Sequence, residues 1–470
     1  MEGKNAWLTY TPEQKSAVMA FAEDYMQFLS LGKTERRCVI QAKQLAEGFG
    51  YKNANEYLEN NIPLKPQDKV YFNFMDKAIA LFHIGSDPLK DGMNILGAHI
   101  DSPRIDLKPR PLYEKDGICF FDTHYYGGIK KYQWTALPLA MYGVVILKDG
   151  THIDVAIGDH EEDEVFVIPD LLIHLSSSQL TKDGAHVVEG EDLDVIAGNI
   201  PAANSDEKEV KDPVKANVLA ILKDRYGIDE EDFISAELEI VPQGKARTCG
   251  LDRSMVLGYG QDDRICAYSS LMALLENSNE TLKRTAVCLL VDKEEIGSVG
   301  ATGMKSAQFE NAVGSIMNSM NQYNDLNLRF ALQNSTMLSN DVCAGHDPIN
   351  SAVSAPNGNM AKMGYGLGVT KYTGSRGKSG SNDSRAEYIA KLRKIFDDAG
   401  VIWQPAELGK VDAGGGGTIA YIMAAKGMDV IDTGVALLNM HAPFEVSDKA
   451  DLYEALKAYK AFLKNMTKVQ

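Results

Sequence analysis

Long apolar runs are missing from this chain. No stretch of its 470 residues approaches the ~20 consecutive apolar residues that a membrane span needs, so no membrane partner is expected. Positive charge is in short supply: 48 Lys plus Arg stand against 65 Asp plus Glu, a formal net charge of −17. That balance argues against nucleic acid and anionic lipid as partners and favours solubility. Cysteine is sparse and unpatterned. Cys38, Cys119, Cys249, Cys266, Cys288 and Cys343 form no CxxC pair, which fits reduced, mostly buried thiols in a cytoplasmic protein. Residues 1–10 are polar, so no secretory signal is expected there. Nucleotide signatures also fail. The run Gly374-Ser-Arg-Gly-Lys378-Ser-Gly looks like a P-loop, but the first glycine of that motif would fall on Tyr372. Gly258-Tyr-Gly260 lacks the third glycine of a dinucleotide fingerprint, because Asp263 stands there. No serine or cysteine nucleophile can be given a base, and no internal repeat or low-complexity segment is present.

The length predicts two domains and a large buried core. Residues 12–60 read as amphipathic helices, with apolar side chains such as Ala17, Phe21 and Met26 at near-helical spacing. Strands are expected at 70–74, 78–84 and 94–101. After about residue 105 the character changes to short β-like runs at 118–121, 142–147, 152–156 and 164–168, with Lys148-Asp-Gly as a hairpin turn. The stretches 189–194 and 202–211 read as exposed loops. From about residue 245 apolar strands alternate with helices again, including helices at 264–276, 384–399 and 449–464 and a strand at 285–292.

What the chain does have is a set of acids and histidines placed where predicted strands run out. Gly-Ala-His99-Ile-Asp101 follows the apolar run 93–96, Asp262-Asp263 opens a helix, and Asp292-Lys-Glu294-Glu295 ends the strand Ala286–Val291. Asp341 and His441 end two further short runs. In open α/β sheets the active crevice lies at the carboxyl ends of the strands. Two imidazoles, a shared carboxylate and one more carboxylate per ion are what two divalent metals need, so the pattern reads as a two-metal hydrolase. Alternate residues of a strand share a face, so Asp101 is positioned to hold the far ring nitrogen of His99. Adjacent glutamates point in different directions, so one of Glu294 and Glu295 can hold metal while the other serves as base. Each residue also has a plainer reading. A lone histidine is more often structural, Lys-Glu-Glu is common in exposed loops, and Asp263 is read as a helix cap. His99 precedes the β-rich stretch and the other candidates follow it. One shared site therefore requires that 106–244 be inserted into a catalytic domain formed by 1–105 and 245–470.

Taken together, Gly-Ala-His99-Ile-Asp101-Ser-Pro, Gln261-Asp262-Asp263-Arg, Asp292-Lys-Glu294-Glu295-Ile-Gly-Ser, Ser339-Asn-Asp341 and Met440-His441 resemble the metallo-aminopeptidase family that contains aspartyl aminopeptidase and vacuolar aminopeptidase I. Their order and spacing match along nearly the whole chain. The resemblance implies an α/β fold: a zinc-peptidase-type central sheet flanked by helices, interrupted by a β-rich dimerisation domain. It implies Asp262 as the bridge between two metals, with His99 and Asp341 on one and Glu295 and His441 on the other. It makes Glu294 the general base, Asp101 the orienter of His99, and His174 a histidine lent to a neighbouring subunit. It also implies a homo-oligomer, a tetrahedral dodecamer built from dimers. Where members that prefer acidic N-terminal residues carry an Asn-Gln-Arg-Tyr-like stretch, this chain has Thr373-Gly-Ser-Arg-Gly-Lys-Ser-Gly, with Lys371, Arg376 and Lys378 as cations for an acidic side chain.

The expected activity is hydrolysis of the N-terminal residue from a peptide substrate, with a preference for acidic residues in question. Zinc suits the imidazole and carboxylate donors, with cobalt or manganese as alternatives. A deacylase or amidohydrolase on the same two-metal core is the second reading, because core ligands do not separate the two chemistries. A non-catalytic shell protein is the third, and it predicts a broken ligand set.

Overall fold

The computed structural model describes residues 3–203 and 211–469. Most of the expected loop at 202–211 therefore lies outside the described residues. The chain gathers into two compact units. The first joins Met1–Asp101, Ala246–Met440 and Glu445–Gln470, and the second takes Ser102–Lys245 with the short segment His441–Phe444. Among the described residues no helix is long and apolar enough to cross a membrane.

The first unit is built on a nine-stranded sheet. Its strands in chain order are β1 (Lys52–Asn53), β2 (Lys69–Phe74), β3 (Ala78–His83), β4 (Asn94–His99), β5 (Ala286–Val291), β6 (Thr336–Asn340), β7 (Leu367–Thr370), β8 (Trp403–Pro405) and β9 (Asp429–Gly434). Across the sheet they run β1-β2-β3-β5-β4-β6-β9-β7-β8. The central four, β5, β4, β6 and β9, are parallel, and β3 and β7 flank them antiparallel. Every residue of β3, β4 and β5 is buried. That is why these strands read as nearly continuous apolar runs rather than alternating ones.

Helices cover both faces. On one lie Pro12–Leu31, Gln261–Glu276, Ala386–Asp398 and Lys449–Asn465, packed through Phe21, Leu271, Leu392 and Phe462. On the other lie Gln308–Ser319, Asp325–Gln333 and Ala420–Ala424, packed through Phe309, Ile316, Leu332 and Ile422. The protein is α/β as the sequence predicts. The region 12–60 holds three helices, Pro12–Leu31, Glu35–Gly48 and Ala54–Glu59. The first starts sharply because Thr11 and Gln14 form a reciprocal capping box with Pro12 at the first helical position.

The second unit carries a six-stranded antiparallel sheet with the order His152–Ile157, Leu139–Ile146, Ala236–Pro242, Arg104–Lys115, Ile118–Tyr126, Val195–Gly198. The strand Arg104–Lys115 escapes a sequence reading because it contains Pro109 and Pro111. Its pairing shifts register between Leu107 and Leu112, and a bulge is where a strand tolerates residues without a donor. Two expectations fail here. Residues 164–168 form no strand beyond a single bridge between Leu139 and Phe166. And this β-rich unit holds an unpredicted 14-residue helix, Pro213–Tyr226, opened by its proline and closed by Gly227 in a left-handed conformation.

Candidate metal centre

Three parallel strands deliver chemistry to one edge of the large sheet. β4 ends on His99, β5 leads into Asp292–Glu295, and β6 leads into Asp341. Asp262 arrives on the helix Gln261–Glu276, whose first residues follow Gly260 at φ +73°. The helix is not regular at its start. Asp262 and Asp263 have non-helical backbone angles, and the peptide between them is cis. The expected cap at Asp263 is absent: Gly260 takes the cap position without a side-chain bond, and Asp263 is fully buried with its carboxyl pushed well up by burial.

His99 is the hub. Its Nε2 stands 3.2 Å from Asp262 Oδ1 and 3.9 Å from Asp341 Oδ1. Its Nδ1 lies 3.0 Å from the backbone carbonyl oxygen of Asp101 and 3.4 Å from Asp101 Oδ1. With Nδ1 engaged on that side, Nε2 is the ring nitrogen turned toward the carboxylates. Both the carbonyl and the carboxylate of Asp101 thus lie on the Nδ1 side of the His99 ring. The two carboxylate oxygens do more: Oδ1 accepts the Glu294 N–H at 3.1 Å and Oδ2 the Glu295 N–H at 3.2 Å. One buried aspartate therefore ties the end of β4 to the glutamate loop.

One ligand atom each of His99, Asp262 and Asp341 lies within 4.8 Å of the others, and so does one each of His99, Glu294 and Glu295. The electrostatics fit a cation. Burial works against a charged imidazole at His99, yet Asp101, Asp262 and Asp341 hold its pKa well above the ordinary value. Burial and the crowding of Asp263, Asp262 and Glu294 push the Asp341 carboxyl well up, although His99 opposes them. A divalent ion is the species that such a donor set satisfies.

Supporting residues were not legible in the sequence. Glu445 is buried and its Oε2 accepts the Asp262 N–H at 3.1 Å. Arg264 is buried and its Nε donates to the Ile100 carbonyl at 3.1 Å, bracing the exit from β4. Both contacts join segments more than 160 residues apart, and no local pattern marks them. Asp432 on β9 is another. It accepts from Ser339 and Thr418 at 2.8 and 2.6 Å, and burial pushes its carboxyl up to about 6.

His441 and His174 belong to the second unit, and the three predicted cations to the surface of the first. His441 follows the strand Ala436–Leu438 and belongs to the segment that groups with the second unit, where its Nδ1 lies 2.8 Å from the Gly128 carbonyl oxygen. His174 is exposed on the short 3-10 helix Ile173–Leu175 of the second unit. Lys371, Arg376 and Lys378 are exposed. Lys378 is already engaged, 2.8 Å from Asp383 and 3.8 Å over the Tyr372 ring.

A family model described as aminopeptidase I zinc metalloprotease (M18) matches residues 28–463. A Clostridium acetobutylicum protein named probable M18 family aminopeptidase 1 is 55% identical over 464 residues, covering 99% of this chain and 98% of that one. This chain belongs to the M18 family. It is accordingly a metallo-aminopeptidase of the zinc metalloprotease class, a hydrolase acting on peptide bonds. The crystal structure of the M18 family aminopeptidase of Thermotoga maritima superposes with a TM-score of 0.93 at 44% identity, covering 99% of this chain and 100% of that one. Aminopeptidase I of Clostridium acetobutylicum gives 0.91 at 51% identity, with the same coverage. Yeast aminopeptidase 1 shares the fold at 19% identity, with a TM-score of 0.75 over 95% of this chain and 97% of that one. Within the M18 frame, the residues brought together at the strand ends are those that the sequence singles out in the first unit.

Proposed function

We propose that this M18 aminopeptidase works with two divalent metals per chain and removes acidic N-terminal residues in preference to neutral ones. The convergence of His99, Asp262, Asp341, Glu294 and Glu295 at one sheet edge carries the two-metal reading. Asp262 is shared between the ions, His99 and Asp341 complete one set, and Glu295 and His441 the other. His441 is bracketed by Met440 and Glu445, both of the first unit, which supports assigning it to this centre. Imidazole with carboxylate suits zinc, and cobalt or manganese fits the same donors.

When bound, such metals supply Lewis acidity and lower the pKa of water. The chain's own part is to place and move protons. Glu294 takes the proton of the attacking water and hands it to the departing amine. Asp101 keeps His99 oriented and anchors the amides of the glutamate loop. Lys378 is matched by Asp383, so Arg376 and Lys371 are the cations offered to a substrate carboxylate. His174, exposed among apolar neighbours, is offered to another subunit. The proposed assembly is a tetrahedral dodecamer of dimers. Support for it is one of fold: the S. cerevisiae mApe1 dodecamer has a TM-score of 0.75 with this chain. Six cysteines outside any disulfide, five of them buried, accord with a cytoplasmic setting.

A panel of aminoacyl substrates, assayed after reconstitution with zinc, cobalt or manganese, tests both parts. Two ions per chain are expected, with Asp and Glu substrates favoured by about 10-fold to 150-fold, the worth of a charge-assisted contact. Metal content near zero after reconstitution sinks the two-metal reading. A preference for Leu or Ala removes the acidic pocket.

A further inference from the structure

Beneath the glutamate loop lies a chain of buried charge that the proposed chemistry does not use. Glu35 opens the helix Glu35–Gly48 and is fully buried. Lys77 stands just before β3 and is 9% exposed. Its Nζ lies 2.9 Å from Glu35 Oε1 and 3.9 Å from Asp292 Oδ2. Asp292 is fully buried and is the first residue after β5. It accepts the Thr302 hydroxyl at 2.6 Å, and its own N–H reaches the Thr302 carbonyl at 3.3 Å. The chain then turns through Lys293 at φ +71° and enters the short 3-10 helix that carries Glu294 and Glu295. The loop is thus fastened at two places, by Asp101 on the glutamate amides and by Asp292 at its root.

Two buried carboxylates on either side of one ammonium are stable only as a set. Without the ammonium they repel each other in a medium that screens poorly. The helix that supplies Glu35 and the loop root that supplies Asp292 are more than 250 residues apart in sequence. Lys293 also reaches Asp292, at 3.3 Å, but its side chain is 24% exposed. Among the described residues, Lys77 places its Nζ within 4 Å of both acids.

We propose that Lys77 is a positioning residue for the proton-transfer group, holding the root of the Glu294–Glu295 loop by joining Asp292 to Glu35. The inference rests on the reading of Glu294 as the general base. Lys77 touches neither substrate nor reacting atoms, and it acts through Asp292. Its loss frees the loop root to move away from Glu35. A displacement of about 1 Å at a reacting group costs on the order of 10²-fold in rate.

The test uses the full-length, metal-loaded protein with Lys77→Met, Lys77→Arg and the double variant Lys77→Met/Glu35→Gln. Three quantities are measured: kcat and KM on a peptide substrate, metal content, and hydrogen exchange of the 292–300 amides. Lys77→Met is expected to lower kcat about 10²-fold with KM unchanged, and to speed exchange at Glu294 and Glu295. Lys77→Arg restores much of the rate, since it keeps the charge. The double variant recovers part of it, because one of the two facing acids has gone. A general loss of fold would lower activity without rescue by arginine. Should Lys77→Met fail to fold, the double variant and the arginine variant are read in the same way. A folded Lys77→Met with wild-type kcat and wild-type exchange overturns the proposal. Faster exchange with unchanged kcat overturns it too, because the loop root would then not govern proton transfer. A wild type that binds metal yet cleaves no peptide would sink the aminopeptidase reading instead, and exchange would still decide whether Lys77 anchors the loop.

Discussion

Glu294 and Glu295 are neighbours, yet their amides are bound to the two oxygens of a single carboxylate, Asp101. That arrangement fixes the backbone of both while leaving their side chains to diverge. It accords with the proposed division of work, Glu295 on metal and Glu294 on the proton. Asp262 is in a different position. It is buried, its N–H is held by Glu445, and its Oδ1 lies 3.2 Å from the His99 Nε2. On the proposed two-metal reading, removing its charge removes a ligand shared by both ions. Glu294→Gln is therefore expected to keep its metal and lose turnover by about 10²–10⁴-fold, the usual worth of a general base. Asp262→Asn is expected to lose both. Metal analysis beside steady-state rates checks the pair. Near-wild-type turnover in Glu294→Gln would take that residue out of the mechanism, and full metal content in Asp262→Asn would do the same for the shared carboxylate. The sequence exposed these residues because each stands immediately after a buried apolar strand or at a helix start. Glu445, Arg264 and Lys77 stayed hidden because what defines them is a partner far away in the chain.

Between β6 and β9 the two parallel strands run in register from Thr336 opposite Asp429 to Asn340 opposite Thr433. Just past that ladder Gly434 packs on the backbone of Asp341, so closely that a methyl group there would overlap the Asp341 carbonyl. The absence of a side chain at the end of β9 is what lets the loop carrying Asp341 lie flat. Gly434→Ala is expected to push Asp341 away from His99. Metal content and activity should fall together, while the core beneath, buried through Leu338 and Ile431, keeps the fold. Metal content equal to wild type in a folded Gly434→Ala would show that Asp341 is not held by this contact. Legibility follows the same physics at this scale. β4 and β5 are buried on both faces and announce themselves as apolar runs. Arg104–Lys115 is a strand despite two prolines, because its partner accommodates them with a register shift. Pro213–Tyr226 is a helix whose buried positions are few, Val214, Val218 and Leu222, too few to stand out in a stretch of β-like runs.

At the scale of the whole molecule the question is whether one chain holds a complete active site. The second unit presents a run of apolar side chains around His174. Leu171, Leu172, Ile173 and Leu175 are between 46% and 69% exposed. Exposed apolar patches of this kind mark surfaces that another protein covers. An exposed histidine at the centre of such a patch is placed where another subunit can reach it, which supports its proposed service to a neighbour. There it would donate a hydrogen bond to the substrate carbonyl as that oxygen gains charge. Loss of such a donor costs about 10²–10³-fold in rate. His174→Ala is expected to fold and assemble as the wild type does, and to lose activity by that factor. Glu294→Gln fails for a different reason, in its own chain. When the two variants are mixed under conditions that let subunits exchange, some sites will combine an intact Glu294 with an intact His174 from the other chain. Activity should rise above that of either variant alone. Light scattering and mass analysis of differently labelled chains establish whether exchange has taken place. Recovery after proven exchange supports a shared site. Proven exchange without recovery means that His174 serves only its own chain or its own fold, and the exposed apolar run then serves assembly alone.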